Sequence, residues 1–183
     1  IDKNRSVKAF QDMCFAAIGE ILSDYAQKGA FADLESGRID AAEFRRIIRP
    51  HLPQGTTDLA IDRAFCEFLV GIPVRRLVAL RDLRRQGLGV YMLSNTNPIM
   101  WNSKIGEEFG REGLRREDYF DGMLTSFEAR VMKPAPEIFN YAAEQLGIAP
   151  DETLFLDDGE ANVRAAEALG WHAALVRPGV EFD

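Results

Sequence analysis

Two adjacent acidic residues directly follow an apolar run near the end of the sequence. The run 153–156 is followed by Asp157, Asp158 and Gly159. Adjacent carboxylates repel each other unless a proton or a cation lies between them. Mg²⁺ prefers oxygen ligands, and it usually binds one or two carboxylates while keeping several waters. The pair therefore predicts a divalent-metal site, and the alternative is that one acid caps a helix while the other is solvated.

A hydroxyl group and an amine could bind the phosphoryl group that such a metal accompanies. The apolar run 88–93 ends in Ser94 and Asn95, and a hydroxyl with neighbouring backbone N–H groups just past a strand can cradle phosphate oxygens. Lys133 precedes Pro134, which keeps the lysine out of helical geometry, and its ammonium can neutralise a phosphate or a carboxylate. The alternatives are an ordinary turn after the strand and an exposed surface lysine.

Strands and helices that alternate along the chain must position these residues. From residue 73 onward, short apolar runs alternate with segments that begin at Pro and end at Gly, which is the usual asymmetry of helix ends. This pattern predicts an α/β fold, a doubly wound Rossmann-like parallel sheet with helices on both faces. Because ligands bind at the carboxyl ends of the strands in such sheets, Ser94, Asp157 and Asp158 are expected at one edge.

The first third of the sequence differs from the rest, because it contains no convincing strand. Its apolar residues recur at three- and four-residue steps, as on one face of a helix. They predict one long first helix through Val7, Phe10, Cys14, Ala17, Ile18, Ile21, Leu22 and Tyr25. We therefore divide the chain into a small all-helical cap, residues 1–72, and an α/β core, residues 73–183.

The composition is that of a folded, soluble domain, with 46% hydrophobic and 28% charged residues. A formal net charge of -7 without a basic block argues against nucleic acid as a partner. No apolar stretch approaches the roughly 18 residues of a membrane span. Cys14 and Cys66 lack metal-ligand spacing and predict buried thiols in a reducing compartment. We expect a cytoplasmic protein, monomeric or homodimeric.

Three motifs, taken in order, resemble those of the haloacid dehalogenase (HAD)-like hydrolase superfamily. The matching residues are Leu93-Ser94-Asn95-Thr96-Asn97 for its second motif, Lys133-Pro134 for its third, and Leu156-Asp157-Asp158-Gly159 with Asn162 for its fourth. The helical first third resembles the helical cap of that family. The Ser-Asn-Thr-Asn form is similar to that of sugar-phosphate phosphatases and dehalogenase-like proteins.

The resemblance implies a Mg²⁺-dependent hydrolase, and specifically a phosphomonoesterase that acts on a small phosphorylated metabolite such as a sugar phosphate. Ser94 and Asn95 would bind phosphoryl oxygens, and Lys133 would neutralise charge on the phosphate and the nucleophile. Asp158 would ligate the metal directly, and Asp157 would ligate it or hold a metal-bound water. Asn162 would not ligate the metal but would contact one of these acids and orient it.

The first motif of the family, an apolar strand that ends in a nucleophilic Asp, has no match in the sequence. In the family this Asp attacks phosphorus and forms an aspartyl-phosphate. Asp2 does not follow an apolar strand. The missing strand would lie between the strands that end at Ser94 and at Asp157, which would otherwise stand about two 4.8 Å spacings apart. We therefore expect this strand to precede Ile1, and residues 1–183 alone to be inactive.

Other functions remain open at this point. A 2-haloacid dehalogenase uses the same fold without a metal, but Asp157 and Asp158 would repel its anionic substrate. A phospho-receiver domain combines similar residue types, but its acid pair comes first and its lysine last. A non-catalytic HAD-like binding protein is favoured by the missing nucleophile.

Overall fold

The N-terminal third folds as helices whose starts are capped by polar side chains. The computed structural model describes residues 1–20, 22 and 28–177 of the chain. The α-helices of this part are α1 (Lys3–Asp12), α2 (Gly29–Glu35), α3 (Ala41–Ile48) and α4 (Asp58–Cys66), with 3₁₀ turns at Ala16–Glu20 and Arg49–His51. The side chains of Asp2, Asp40 and Thr57 accept backbone N–H groups at the starts of α1, α3 and α4, which satisfies donors that a helix cannot pair internally.

The prediction of one long first helix is wrong. Helix α1 ends at Asp12, and Cys14 takes a left-handed φ of 65°. This reversal brings Phe15 back onto Phe10, where the two rings meet edge to face with centroids 6.2 Å apart. The same turn leaves Cys14 exposed, so its expected burial is also wrong, whereas Cys66 is partly buried and both thiols are free. Ile21 and Tyr25 lie outside the described residues.

The N-terminal helical part, α1 to α4, which we call the cap, has an aromatic core. Phe31 lies at its centre, 4.9 Å from Phe44 and 4.9 Å from Phe65 between ring centroids, in edge-to-face contacts. All three side chains are fully buried, and such pairs add to the free energy of burial. Ile99 and Met100 of the following part join the same cluster. Because the cluster crosses residue 72, the domain division at that residue stays a prediction.

The remaining chain alternates helices and parallel strands, which confirms the predicted α/β fold class. The strands are β1 (Tyr91–Ser94), β2 (Gly122–Thr125), β3 (Leu154–Asp157) and β4 (His172–Leu175). The helices are α5 (Val74–Arg85), α6 (Pro98–Asn102), α7 (Lys104–Gly110), α8 (Ser126–Ala129), α9 (Pro136–Leu146) and α10 (Glu160–Ala168), with 3₁₀ turns at Arg116–Asp118 and Pro150–Glu152.

The strands form two parallel pairs. β1 pairs with β2 so that Ser94 lies opposite Thr125, and β3 pairs with β4 so that Asp157 lies opposite Leu175. Within the described residues no ladder joins β1 to β3. The carboxyl ends of both pairs carry the polar residues, and we call this edge the rim.

Burial on β3 is one-sided. Phe155 packs against Phe139 of α9 and against Trp171, with ring centroids 5.4 and 6.4 Å away. Leu154 and Leu156, on the opposite face, are 62% and 42% exposed. Burial on both faces, as expected of a parallel sheet, is therefore incomplete at this strand in the described part of the chain. None of the helices in the described ranges is both long enough and apolar enough to cross a bilayer.

Candidate active site

Lys133 lies at the rim and connects the two strand pairs. Its Nζ donates to the Leu93 carbonyl of β1 at 2.8 Å and to Asp157 Oδ2 of β3 at 2.6 Å. The same ammonium lies 5.3 Å from the centroid of the Phe155 ring. The side chains of Lys133 and Asp157 are each only 8% exposed. The lysine is therefore not a surface residue, and its charge is fixed and largely desolvated.

Asn95 holds the backbone of this lysine. Its Oδ1 accepts from Lys133 N, and its Nδ2 donates to the Lys133 carbonyl, both at 2.9 Å. Both polar ends of the amide are thus engaged. The side chain of Asn95 positions the lysine, so a phosphate contact from Asn95 would have to come from its backbone N–H.

Asp157 accepts donors on both carboxylate oxygens. Besides the lysine on Oδ2, its Oδ1 accepts from Gly159 N and from Asn162 Nδ2, each at 2.8 Å. Asn162 reaches the acid from α10, so the contact by which it orients an acid is present. A side chain at Gly159 would not fit, because a Cβ there would lie 2.7 Å from Asn162 Nδ2. Asp157 therefore anchors Lys133, and its role as a metal ligand stays a prediction.

Asp158 and Ser94 lie at the same rim without partners. Asp158 is exposed and Ser94 is partly buried. Among the residues that the structure describes, neither side chain makes a hydrogen bond or an ion pair. Of the five residues predicted to contact metal or phosphate, Ser94 and Asp158 thus have side chains that are not engaged by the described residues, whereas Asn95, Lys133 and Asp157 are engaged with one another or with the backbone. No group of three or more His, Cys, Asp or Glu side chains within the described ranges is placed to hold a metal ion.

Ser126 is a rim residue that our sequence reasoning missed. It is fully buried just past β2, and its Oγ accepts from Thr96 N at 3.0 Å. The same hydroxyl contacts the Glu35 carbonyl of the cap at 2.6 Å. Ser126 therefore ties the loop after Ser94 to the end of α2. The rule that located the other site residues, polar groups just past a strand, would have found it.

Asn97 serves the fold rather than the site. Its Oδ1 accepts from Met100 N at 3.0 Å, so it caps α6. The side chain is fully buried. In the Ser-Asn-Thr-Asn run, the described part of the chain therefore engages the side chains of Asn95 and Asn97 but not that of Ser94.

Burial changes the pKa of Glu35, an acid close to the rim. Glu35, the last residue of α2, is partly buried. Burial raises the pKa of its carboxyl from 4.5 to about 7. Its side chain makes no hydrogen bond or ion pair with the described residues. The sequence does not predict the burial of Glu35, because an acid at the end of a helix is ordinarily expected to be solvated.

Residues 7–170 match a family model of haloacid dehalogenase-like hydrolases. D-ribitol-5-phosphate phosphatase of Bacteroides thetaiotaomicron is 33% identical over 182 residues, covering 100% of this chain and 88% of that protein. The structure superposes on an aspartate-to-alanine mutant of a HAD-family enzyme from the same organism, solved with magnesium and inorganic phosphate, with a TM-score of 0.94 and 37% identity over 100% and 90% of the two chains. The structure also superposes on a predicted HAD-like hydrolase of Porphyromonas gingivalis with a TM-score of 0.88 and 32% identity. This match covers 98% of this chain and 85% of the other.

Proposed function

Because this chain belongs to the haloacid dehalogenase-like hydrolase family, we propose that it forms most of a Mg²⁺-dependent phosphomonoesterase for small sugar or polyol phosphates. The observation that carries the proposal is the ammonium of Lys133, held at the rim between Leu93 and Asp157. A fixed cation in a water-poor site can stabilise negative charge on a phosphoryl group in the transition state without reorganising during the reaction.

The phosphate would lie against the free hydroxyl of Ser94 and the ammonium of Lys133. Both groups stand at the carboxyl ends of strands, where ligands bind in open α/β sheets. Asn95 keeps the lysine backbone in place through its paired contacts. Substrate positioning and charge neutralisation would then come from groups that are already oriented in the folded protein.

Asp158 is the residue best placed to hold Mg²⁺, because its carboxylate is exposed and has no partner among the described residues. Asp157 would support the site through Lys133, since both of its oxygens already accept N–H donors. The bound ion would supply positive charge that offsets the negative charge of the phosphoryl group. Magnesium in the related Bacteroides structure supports this choice of metal.

We further propose that the nucleophilic Asp is carried by a strand that lies between β1 and β3. The facing edges of these strands have no ladder partner in the described residues, and buried backbone groups are almost always paired. A parallel strand in this position would end at the rim beside Lys133. Its carboxylate would attack phosphorus as the P–O bond to the substrate alcohol breaks, and the alcohol would leave with a proton from water. A second water would then hydrolyse the aspartyl-phosphate, which frees the carboxylate and releases inorganic phosphate. The same carboxylate would offer an oxygen ligand to the metal.

A hydroxyl-rich substrate is supported by the relative that acts on D-ribitol 5-phosphate, since 33% identity extends over this whole chain. The end of α2 contacts the rim through the Glu35 carbonyl, and side chains of this region would contact the part of the substrate beyond its phosphate. The substrate class is therefore a phosphate monoester of a small neutral polyol or sugar.

The test is hydrolysis of p-nitrophenyl phosphate by the protein expressed from its complete reading frame. We expect phosphate release with Mg²⁺ that stops after EDTA treatment and returns when Mg²⁺ is restored. If no phosphate is released at any Mg²⁺ concentration, the phosphatase proposal is wrong and the alternative of a non-catalytic HAD-like binding protein is favoured. Chloride release from 2-chloropropionate that survives EDTA would establish the dehalogenase instead.

A further inference from the structure

The end of α2 is fixed against the rim by two contacts. The Glu35 carbonyl accepts from Ser126 Oγ at 2.6 Å, directly after Thr125, which lies opposite Ser94. Two residues further on, a Cβ at Gly37 would lie only 2.1 Å from the Phe127 carbonyl oxygen. The backbone of the cap therefore approaches the catalytic strands closely at Glu35.

The carboxyl group of Glu35 is not compensated at this position. It is partly withdrawn from water, and no described residue donates a hydrogen bond to it or pairs with its charge. An acid of this kind costs stability in the free protein. Such costs are characteristic of groups whose partner arrives with a ligand.

We infer that Glu35 is a specificity-determining residue, whose carboxylate accepts hydrogen bonds from substrate hydroxyls while the phosphate lies at Ser94 and Lys133. This inference rests on the proposed phosphatase function. Hydroxyl groups are donors that would satisfy the carboxylate, and hydrogen bonds to a charged group are stronger than those between neutral groups. A substrate with a second anionic group near this position would be repelled by Glu35. The residue would thus favour neutral polyol phosphates over phosphorylated acids.

The experiment compares Glu35→Gln with the wild-type protein, both made from the complete reading frame, on three substrates. It is run at pH 8, above the raised pKa of the Glu35 carboxyl of about 7, so that this group is ionised. For a pentitol 5-phosphate we expect kcat/KM to fall about tenfold to a hundredfold, since a charged acceptor is replaced by a weaker, neutral one. For p-nitrophenyl phosphate, which lacks hydroxyls, we expect a change within about threefold. For phosphoglycolate, whose carboxylate is no longer repelled, we expect kcat/KM to rise.

Glu43→Gln is the matched control, because Glu43 is also a cap glutamate but pairs with Arg46 at the surface; it should leave all three rates unchanged. Equal losses of Glu35→Gln on all three substrates would mean that Glu35 supports the fold or the chemistry, and would overturn the inference. Unchanged rates would overturn it too. A wild-type protein inactive on every substrate would instead overturn the proposed function, and the inference with it.

Discussion

Lys133 brings together more of the site than any other side chain in the described residues. Its ammonium is bound to Leu93 and Asp157, and its backbone is held by Asn95. The buried ion pair of Lys133 and Asp157 adds little net free energy of unfolding, because the cost of desolvating the two charges offsets most of their attraction. Its fixed geometry therefore suits catalysis more than folding.

We expect Lys133→Met to lower kcat by about a hundredfold or more, since a preorganised charge at the phosphoryl group is removed. The substitution also leaves the Asp157 carboxylate buried without its cation, which should cost about 3–5 kcal/mol of unfolding free energy. Steady-state kinetics and urea unfolding measure the two effects. Lys8→Met is the control, because Lys8 pairs with Asp12 at the surface. A variant of Lys133 with unchanged kcat would remove the lysine from the mechanism.

Glu35 makes stability depend on pH. Its pKa is raised to about 7 by burial, above its ordinary value of 4.5, so the folded protein holds this proton more tightly than the unfolded chain. Stability should therefore fall as the pH rises from about 4.5 to 7 and stay reduced above that range. Glu35→Gln removes this dependence.

We accordingly expect Glu35→Gln to be more stable than the wild type at pH 8, by up to about 3 kcal/mol, and to lose most of this advantage at pH 4.5. Urea midpoints at the two pH values test the expectation. Parallel midpoints for the two proteins would show that the carboxyl is solvated in the folded state.

The helices differ in how well local signals predict them. Pro136 begins α9 and Gly147 ends it with a left-handed φ of 64°, so this helix could be bounded from the sequence. The end of α1 could not, because no Gly or Pro marks it and the apolar spacing continues past Asp12. After the turn, Phe10 and Phe15 both join the buried cluster around Phe31, and packing with residues distant in sequence can override local helix propensity.

Helix α7 holds the segment at Gly71 and Ile72 through Glu108. The carboxylate of Glu108 accepts from Ile72 N at 3.0 Å and forms ion pairs with Lys104 and Arg111. Gly71 passes so close that a Cβ there would lie 3.1 Å from Glu108 Oε2. Burial alone would raise the pKa of Glu108, but these donors outweigh it and lower the pKa to about 2.

The low pKa of Glu108 gives a prediction for acid unfolding. Because the folded pKa lies below the ordinary value of 4.5, the carboxylate contributes stability above that value, and the contribution is lost as the pH falls toward 2. We expect Glu108→Gln to lower the free energy of unfolding by about 3 kcal/mol at pH 7, and by progressively less below pH 4. Urea unfolding measures it, with Glu107→Gln, an exposed neighbour on the same helix, as the control. A loss that does not change with pH would indicate a packing defect instead.

Across the molecule, the sequence predicts where the site lies better than how its side chains pair. The strand-end rule brings Ser94, Asp157 and Asp158 to one rim, and the structure places them there with Lys133. The rule could not show that Asp157 would be engaged by the lysine, or that Asn95 would hold the lysine backbone. It also could not find the contact between Glu35 and Ser126, since a pairing so distant in sequence depends on how the cap packs on the core.

The space between β1 and β3 carries the last prediction. Each strand is paired on one edge only within the described residues, and Leu154 and Leu156 of β3 are exposed. Amides at an unpaired strand edge open easily and exchange rapidly, whereas those of a central strand exchange only through costly opening. If a further strand fills this space, amides 91–94 and 154–157 that face it should be protected in the protein expressed from its complete reading frame.

Hydrogen exchange can compare that protein with a chain of residues 1–183 alone. We expect the amides that face the gap to exchange at least about tenfold more slowly in the protein from the complete reading frame, since each 1.4 kcal/mol of opening free energy is a factor of ten. Amides of β2 and β4 provide the internal reference, because their pairing with β1 and β3 is the same in both chains. Equal exchange at the gap in the two chains would mean that no strand enters it, and the nucleophile would then have to reach Lys133 from another element.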